Sequence, residues 1–183
     1  MNNGFVLISL YNVHNLGVHY LASYLRKQGY DVNVIFLKDM IANNGKKATQ
    51  KKKDLLISIL EKINPKIAGI SVSCSALFNI SKTITREIHS ALGIPVVWGG
   101  AHATIAPEEC IREADYICRG EGETSLNRLL NSFQNVGQED FSIPNLWTKQ
   151  NGTIVSNEIE PVDQPFCTLP FPDYSNENKF FVK

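Results

Sequence analysis

KIAGISVS at residues 66–73 and IPVVWGG at residues 94–100 flank a segment in which Leu77, Ile80, Ile84, Ile88 and Leu92 fall on one helical face. Each flanking stretch is an apolar run of strand length, rich in β-branched residues, and reads as a buried strand. Gly93 stops the intervening helix. A strand, a helix and a second strand in this order make a crossover unit whose strands lie parallel and whose connection is right-handed.

The same alternation runs outward in both directions. Upstream, Gly4–Leu10 (GFVLISL) is a first buried strand that ends in the turn-prone pair Tyr11-Asn12. Leu16, Tyr20, Leu21, Tyr24 and Leu25 recur at helical spacing up to Gly29, and Asp31–Leu37 (DVNVIFL) is a second strand. Residues 42–53, with their Asn, Gly and Lys, read as an exposed loop running into a helix. Its stripe is Leu55, Leu56, Ile59, Leu60 and Ile63, and Asn64-Pro65 ends it. Downstream come a short helix from Pro107 to about Glu113, a brief strand Asp115–Cys118, and a helix carrying Leu126, Leu129, Leu130 and Phe133. The expected fold is α/β: a doubly wound, mostly parallel five-stranded sheet of the Rossmann-like or flavodoxin-like kind, over residues 1–135.

Residues 136–160 read as a β-hairpin appendage, with strands Asn145–Lys149 and Thr153–Ser156 joined by a type I′ turn at Asn151-Gly152. Residues 161–183 carry prolines and no helical period. They read as an extended connector, Pro161–Tyr174 at its centre, leading toward a further domain.

Composition narrows the classes of function. The 183 residues carry 18 Lys+Arg against 18 Asp+Glu, and this neutrality removes the long-range attraction a nucleic-acid or anionic-membrane binder uses. The lysines of 46–53 lack interleaved aromatics and read as a solvated loop. No apolar run approaches the ~20 residues of a bilayer span, and Met1-Asn2-Asn3-Gly4 lacks the basic start of a signal peptide. The expectation is a soluble, cytoplasmic protein with no nucleic-acid or membrane partner. Cys74, Cys110, Cys118 and Cys167 form no CxxC, no CxxxCxxC and no zinc-finger spacing, so they read as reduced, mostly buried thiols.

In an open parallel sheet, ligands bind at the carboxyl ends of the strands. The loops leaving those ends are Tyr11–Gly17, Ser71–Ser75, Gly99–Thr104 and Arg119–Glu123. The first lacks a GxGxxG or GxxxxGK[ST] pattern, which argues against a nucleotide on a glycine-rich turn. It offers His14, with Asn12 two residues before and Gly17 three after. Ser71 and Ser73 alternate onto one face, and Gly99-Gly100 lets a bulky ligand approach the backbone. His102 follows that pair as either a ligand contact or a structural bond.

Each signal also has a plain structural reading. His14 is then a solvated loop residue, Asn12 or Asn15 a helix N-cap, the serines are satisfied by backbone, and the glycine pair is a turn. His19 and His89 fall inside helices and read as surface residues. Glu121 and Glu123, like Glu108 and Glu109, read as acids that favour the dipole of the following helix. No nucleophile elbow or triad points to a hydrolase.

Taken in order, Asn12-x-His14-x-x-Gly17, Ser71-Val72-Ser73 and Gly99-Gly100 resemble the cobalamin-binding Rossmann-like domain, whose pattern is Asp-x-His-x-x-Gly, Ser-x-Leu and Gly-Gly. GGAHAT at 99–104, PEE at 107–109, RGEGE at 119–123 and LPFPDY at 169–174 resemble the N-terminal domain of B12-dependent radical SAM enzymes. The resemblance runs from Phe5 to Tyr174. It implies cobalamin as cofactor, in the methyl form where a methyl group is carried, contacted by Asn12, His14, Gly17, Ser71, Ser73, Gly99, Gly100 and His102. His14 is the candidate cobalt ligand from below, although many radical SAM relatives leave that face to water. The nucleotide tail would lie at Gly99-Gly100 and the two serines.

The resemblance further implies a C-terminal radical SAM domain of the same protein as partner, holding S-adenosylmethionine and a [4Fe-4S] cluster. This chain has no CxxxCxxC, so the radical step, methyl transfer or a related reaction, is not expected of it alone. Asn12 stands where the pattern has Asp and Ser73 where it has Leu. A neutral Asn still accepts an imidazole N–H but tunes a metal less than a carboxylate does. The alternative is a scaffold or docking domain that keeps the fold without cobalamin, or a flavodoxin-like binder of another ligand.

Overall fold

Gly4–Leu10 is buried at every position and forms β1, the strand from which the sheet extends in both directions. The computed structural model describes residues 4–37, 49–134, 140–161 and 169–182. β1 pairs in parallel with β2 (Asp31–Leu37) on one side and with β3 (Ile67–Ser71) on the other. β4 (Val96–Gly99) and β5 (Tyr116–Cys118) follow, also parallel. The strand order 2-1-3-4-5 reverses direction between β1 and β3, and that switch is where such a sheet opens a crevice at its carboxyl edge.

Helices cover both faces. On one, α1 (Leu16–Lys27) and α6 (Glu123–Gln134) bring Val18, Ala22, Leu25, Leu126 and Leu129 onto Phe5, Leu7 and Val97. On the other, α2 (Gln50–Ile63) and α3 (Phe78–Leu92) bring Leu56, Leu60, Ile84 and Ile88 onto Ile8, Ile70 and Trp98. Trp98 is fully buried, and its indole N–H donates to the Thr85 hydroxyl at 2.8 Å, which satisfies both groups inside the core. Asn64 and Gly93 end α2 and α3 in the left-handed conformation, as their residue types favour.

The expected doubly wound, mostly parallel sheet forms, and it is wider than five strands. β6 (Leu146–Gln150) pairs antiparallel with β5, and β7 (Thr153–Ser156) with β6, so the hairpin continues the main sheet. Its turn has φ 50° at Asn151 and 80° at Gly152, the two positive values that type I′ requires.

At the opposite edge, β8 (Lys179–Val182) pairs in parallel with β2, from Val34↔Lys179 to Leu37↔Val182. The end of the stretch read as connector is therefore a strand. β2 otherwise has a row of unpaired backbone groups at its edge, and Phe181 stacks on Phe36 at 5.3 Å. Four residues, KFFV, are too few to show a period. Another departure is α4 (Ala101–Ile105), a short helix in the loop after Gly100, which precedes α5 (Pro107–Cys110). Much of the loop at 42–53, the boundary at 135, the middle of the connector and Cys167 lie outside the described residues.

Candidate functional site

At the switch between β1 and β3 lies a cleft of about 190 Å³, roofed by α1 and α6. Its floor is Leu7, Gly69, Ser71, Val97 and Gly99, residues that alternate onto the same sheet face. Gly17, Val18 and Leu21 of α1 form one wall. Gly120, Glu121, Gly122, Glu123 and Leu126 form the other. The site is apolar at depth and polar at its mouth.

Five of the eight expected site residues meet here: Gly17, Ser71, Ser73, Gly99 and Gly100. At Gly99 an added Cβ would find its nearest neighbour, the Cys118 carbonyl, at 3.7 Å. The atom would fit and would take up cleft space. Gly100 is different. Its φ of 97° and a would-be Cβ 3.0 Å from the Val72 carbonyl oxygen restrict the position to glycine. That backbone shape lets the Val72 N–H bond the Gly99 carbonyl and the His102 N–H bond the Val72 carbonyl, which locks the ends of β3 and β4 together.

Asn12, His14 and His102 are not among the cleft's lining residues. Asn12 and His14 are exposed on the loop after β1. The Asn12 side-chain oxygen, expected to face the His14 ring, accepts from the His14 backbone N–H at 2.9 Å and shapes the turn. The Ser9 hydroxyl, fully buried, donates to the Asn12 carbonyl at 2.7 Å and ties that turn to β1. His102 is 5% exposed on α4, with Nδ1 3.1 Å from the Ser75 hydroxyl and its ring edge-on to Phe78. Its Nε2 is buried without a hydrogen-bond partner among the described residues.

Sequence reasoning missed several cleft residues. Asn15 was legible as an N-cap, and its side-chain oxygen does accept from the Val18 N–H at 3.3 Å. Its amide also donates to the Ser71 hydroxyl at 2.9 Å, which no local pattern announces. Gly69 did carry a signal: a glycine inside a strand marks a close approach, here of Phe5 and Leu7, which a Cβ would meet at 2.9 and 3.0 Å. Glu121 and Glu123 are cleft walls, and of the two only Glu123 lies in the first turn of α6. Burial raises the Glu123 carboxyl, with a push from Glu121, against hydrogen bonds from nearby backbone N–H groups. Burial likewise pushes the Cys118 thiol in the cleft up to about 12, so it stays protonated and inert near neutral pH.

His19 overturns its reading as a surface residue. It is 3% exposed because Phe36 and Tyr174 close over its ring and both ring nitrogens face carbonyl oxygens. His89 lies at the surface, with Nε2 2.7 Å from Asp115. Among the described residues no three His, Cys, Asp or Glu gather to hold a metal ion, and no helix is long and apolar enough to cross a membrane.

The cleft is lined by apolar Leu7, Val18, Leu21, Val97 and Leu126, with Asn15, Ser71, Ser73, Glu121 and Glu123 as its polar side chains. The B12 binding domain family matches residues 4–130. Over 170 residues the chain is 32% identical to an uncharacterized methyltransferase of Pyrococcus horikoshii, covering 87% of this chain and 33% of that protein. The chain thus spans about a third of that relative's length.

Proposed function

The chain belongs to the B12-binding domain family, and from that premise we propose that it holds a cobalamin over the carboxyl edge of the sheet, with the nucleotide tail in the cleft between α1 and α6. The observation that carries this reading is the cleft floor. Gly99 on the floor and Gly17 beside it contribute no side chain, Ser71 and Ser73 stand at the strand end, Leu7 and Val97 make the floor apolar, and Leu126 adds an apolar wall. A heteroaromatic base fits such walls, and the hydroxyls suit the polar atoms that join it to the corrin.

The residues of the chain then divide the work. Asn15 holds the Ser71 hydroxyl in place, and Gly100 fixes the spacing of β3 and β4 under the ligand. His14, on a turn shaped by Asn12, would be the residue of the first loop offered to the cobalt. The cofactor, when bound, supplies a cobalt centre able to carry a methyl group.

The whole protein is proposed to be a B12-dependent radical SAM enzyme in which this domain serves a downstream catalytic domain that holds S-adenosylmethionine and a [4Fe-4S] cluster. Methyl transfer is the favoured reaction, supported by the name of the Pyrococcus relative and by that protein's greater length. β8 runs parallel to β2, so it carries the chain back to the carboxyl edge where the cofactor would sit. A cytoplasmic location accompanies this reading.

The test is incubation of the purified protein with hydroxocobalamin, desalting, and a visible spectrum beside that of His14→Ala. A retained red chromophore is expected, with bands that move in the variant. A colourless wild-type protein, also after methylcobalamin, would sink the proposal and leave the scaffold reading. Unchanged bands in the variant would remove His14 from cobalt.

A further inference from the structure

His19 stands on α1 between two segments far apart in the sequence. Its Nε2 is 2.9 Å from the Val13 carbonyl, in the loop that carries Asn12 and His14. Its Nδ1 is 2.7 Å from the Asp173 carbonyl, in the C-terminal segment that ends in β8. A carbonyl oxygen only accepts, so a ring nitrogen that bonds one does so as an N–H donor. The ring packs at a tilt against Tyr174, centroids 4.5 Å apart, and against Phe36 at 5.4 Å.

The C-terminal segment is pinned beside this ring by side chains of α1. The Asp173 N–H donates to the Ser23 hydroxyl at 2.8 Å, and Arg26 meets the Asp173 carboxylate at 2.6 Å. Lys179, its ammonium nearly buried, donates to the Asp173 carbonyl at 2.6 Å and to the Ser175 carbonyl. These bonds fix the strap, residues 169–182, in one register on α1 and β2.

We propose that His19 is a positioning residue that couples docking of the 169–182 strap to the conformation of the Val13-His14 loop. Release of the strap removes the Asp173 carbonyl and the Tyr174 ring from His19, so the imidazole loses contacts that orient it and its hold on the Val13 carbonyl weakens. Any load on the C-terminal segment is felt at His14, and by reciprocity a ligand that orders the loop tightens the strap. The loop coupling stands on contacts in the chain alone; its consequence for cofactor retention rests on the cobalamin reading.

Hydrogen exchange of the cofactor-free protein tests the coupling directly. Asp173→Asn weakens the strap through the side chain that Arg26 meets and keeps the backbone carbonyl that His19 bonds. It is expected to speed exchange of the strap amides and, by about fivefold, that of the His14 amide, the factor that one net hydrogen bond carries. In a His19→Phe background, which keeps an aromatic ring but no donor, Asp173→Asn should have no further effect at His14. Ser23→Ala, which removes a different pin, should reproduce the Asp173→Asn result if His19→Phe does not fold. Faster strap exchange with an unchanged His14 amide in the Asp173→Asn and Ser23→Ala proteins would overturn the coupling.

A second measurement separates the two readings. Hydroxocobalamin should leave Asp173→Asn several-fold faster than wild type. Failure of the wild type to take up cobalamin would overturn the proposed function while the exchange result at His14 still decides the coupling.

Discussion

The side-chain amide of Asn15 donates to the hydroxyl of Ser71 at 2.9 Å across 56 positions of sequence. The same side chain caps α1 through the Val18 N–H at 3.3 Å. One residue therefore sets both the start of the helix that walls the cleft and the direction of a hydroxyl on its floor.

These two roles separate by substitution. Asn15→Asp keeps a cap but loses the donor to Ser71, so it should unfold in urea near the wild-type midpoint and bind cobalamin less tightly. Asn15→Ala loses both and should cost about 1 kcal/mol of stability as well. Equal stability loss in the two variants would refute the division.

The adjacent glycines should respond in opposite ways. Gly99→Val brings its Cβ only into ordinary contact with Cys118 and its methyls toward the cleft, so the protein should fold and lose roughly tenfold in cobalamin affinity, by spectral titration. Gly100→Ala meets the Val72 carbonyl at 3.0 Å with φ 97°, and should lose about 3 kcal/mol of stability in denaturant. A stable, cobalamin-binding Gly99→Val protein would move the tail out of the cleft.

Glu123 gives a pH signature. Its carboxyl is raised chiefly by burial, so the folded state binds a proton more tightly than the unfolded chain does. The stability this contributes is present below the ordinary carboxylate range and is lost as pH rises through the raised value. Glu123→Gln, permanently neutral, should melt higher than wild type at pH 7, with the gap closing as pH falls toward 4. A constant gap across that range would mean that the ionisation of Glu123 is not the cause.

The strap reports on acid from the other direction. Burial works against ionisation of Asp173, but hydrogen bonds from Ser175 and the charges of Lys179 and Arg26 outweigh it and hold the carboxyl low. That contribution is present above the ordinary carboxylate value and is lost as pH falls through the lowered one. Proteolysis of 169–182 should therefore rise below about pH 4 in wild type, and be high already at neutral pH in Asp173→Asn. Equal cleavage of the two proteins at pH 7 would count against the pin.

Periodicity and turn chemistry in the sequence were enough to place β1 to β5, the longer helices α1, α2, α3 and α6, and the hairpin turn at Asn151-Gly152. These are local properties: a buried strand is a short apolar run, a helix a stripe, and a turn a residue type that accepts positive φ. The motif residues Gly17, Ser71, Ser73, Gly99 and Gly100 were legible for the same reason, because alternation and loop position bring them to one edge.

The tertiary structure alone decided the rest. The KFFV strand found β2 because that edge had unpaired backbone groups and Phe36 to stack on. Asn15 found Ser71, and His19 found Val13 and Asp173, once crossovers had folded distant segments onto α1. Whether a histidine in a helix is solvated or a buried clamp depends on what lands on it, and Asp173 lies 154 positions away. Contacts of that range carry no period along the chain. They arise from closure of the fold, which is why the sheet was readable beforehand and the strap was not.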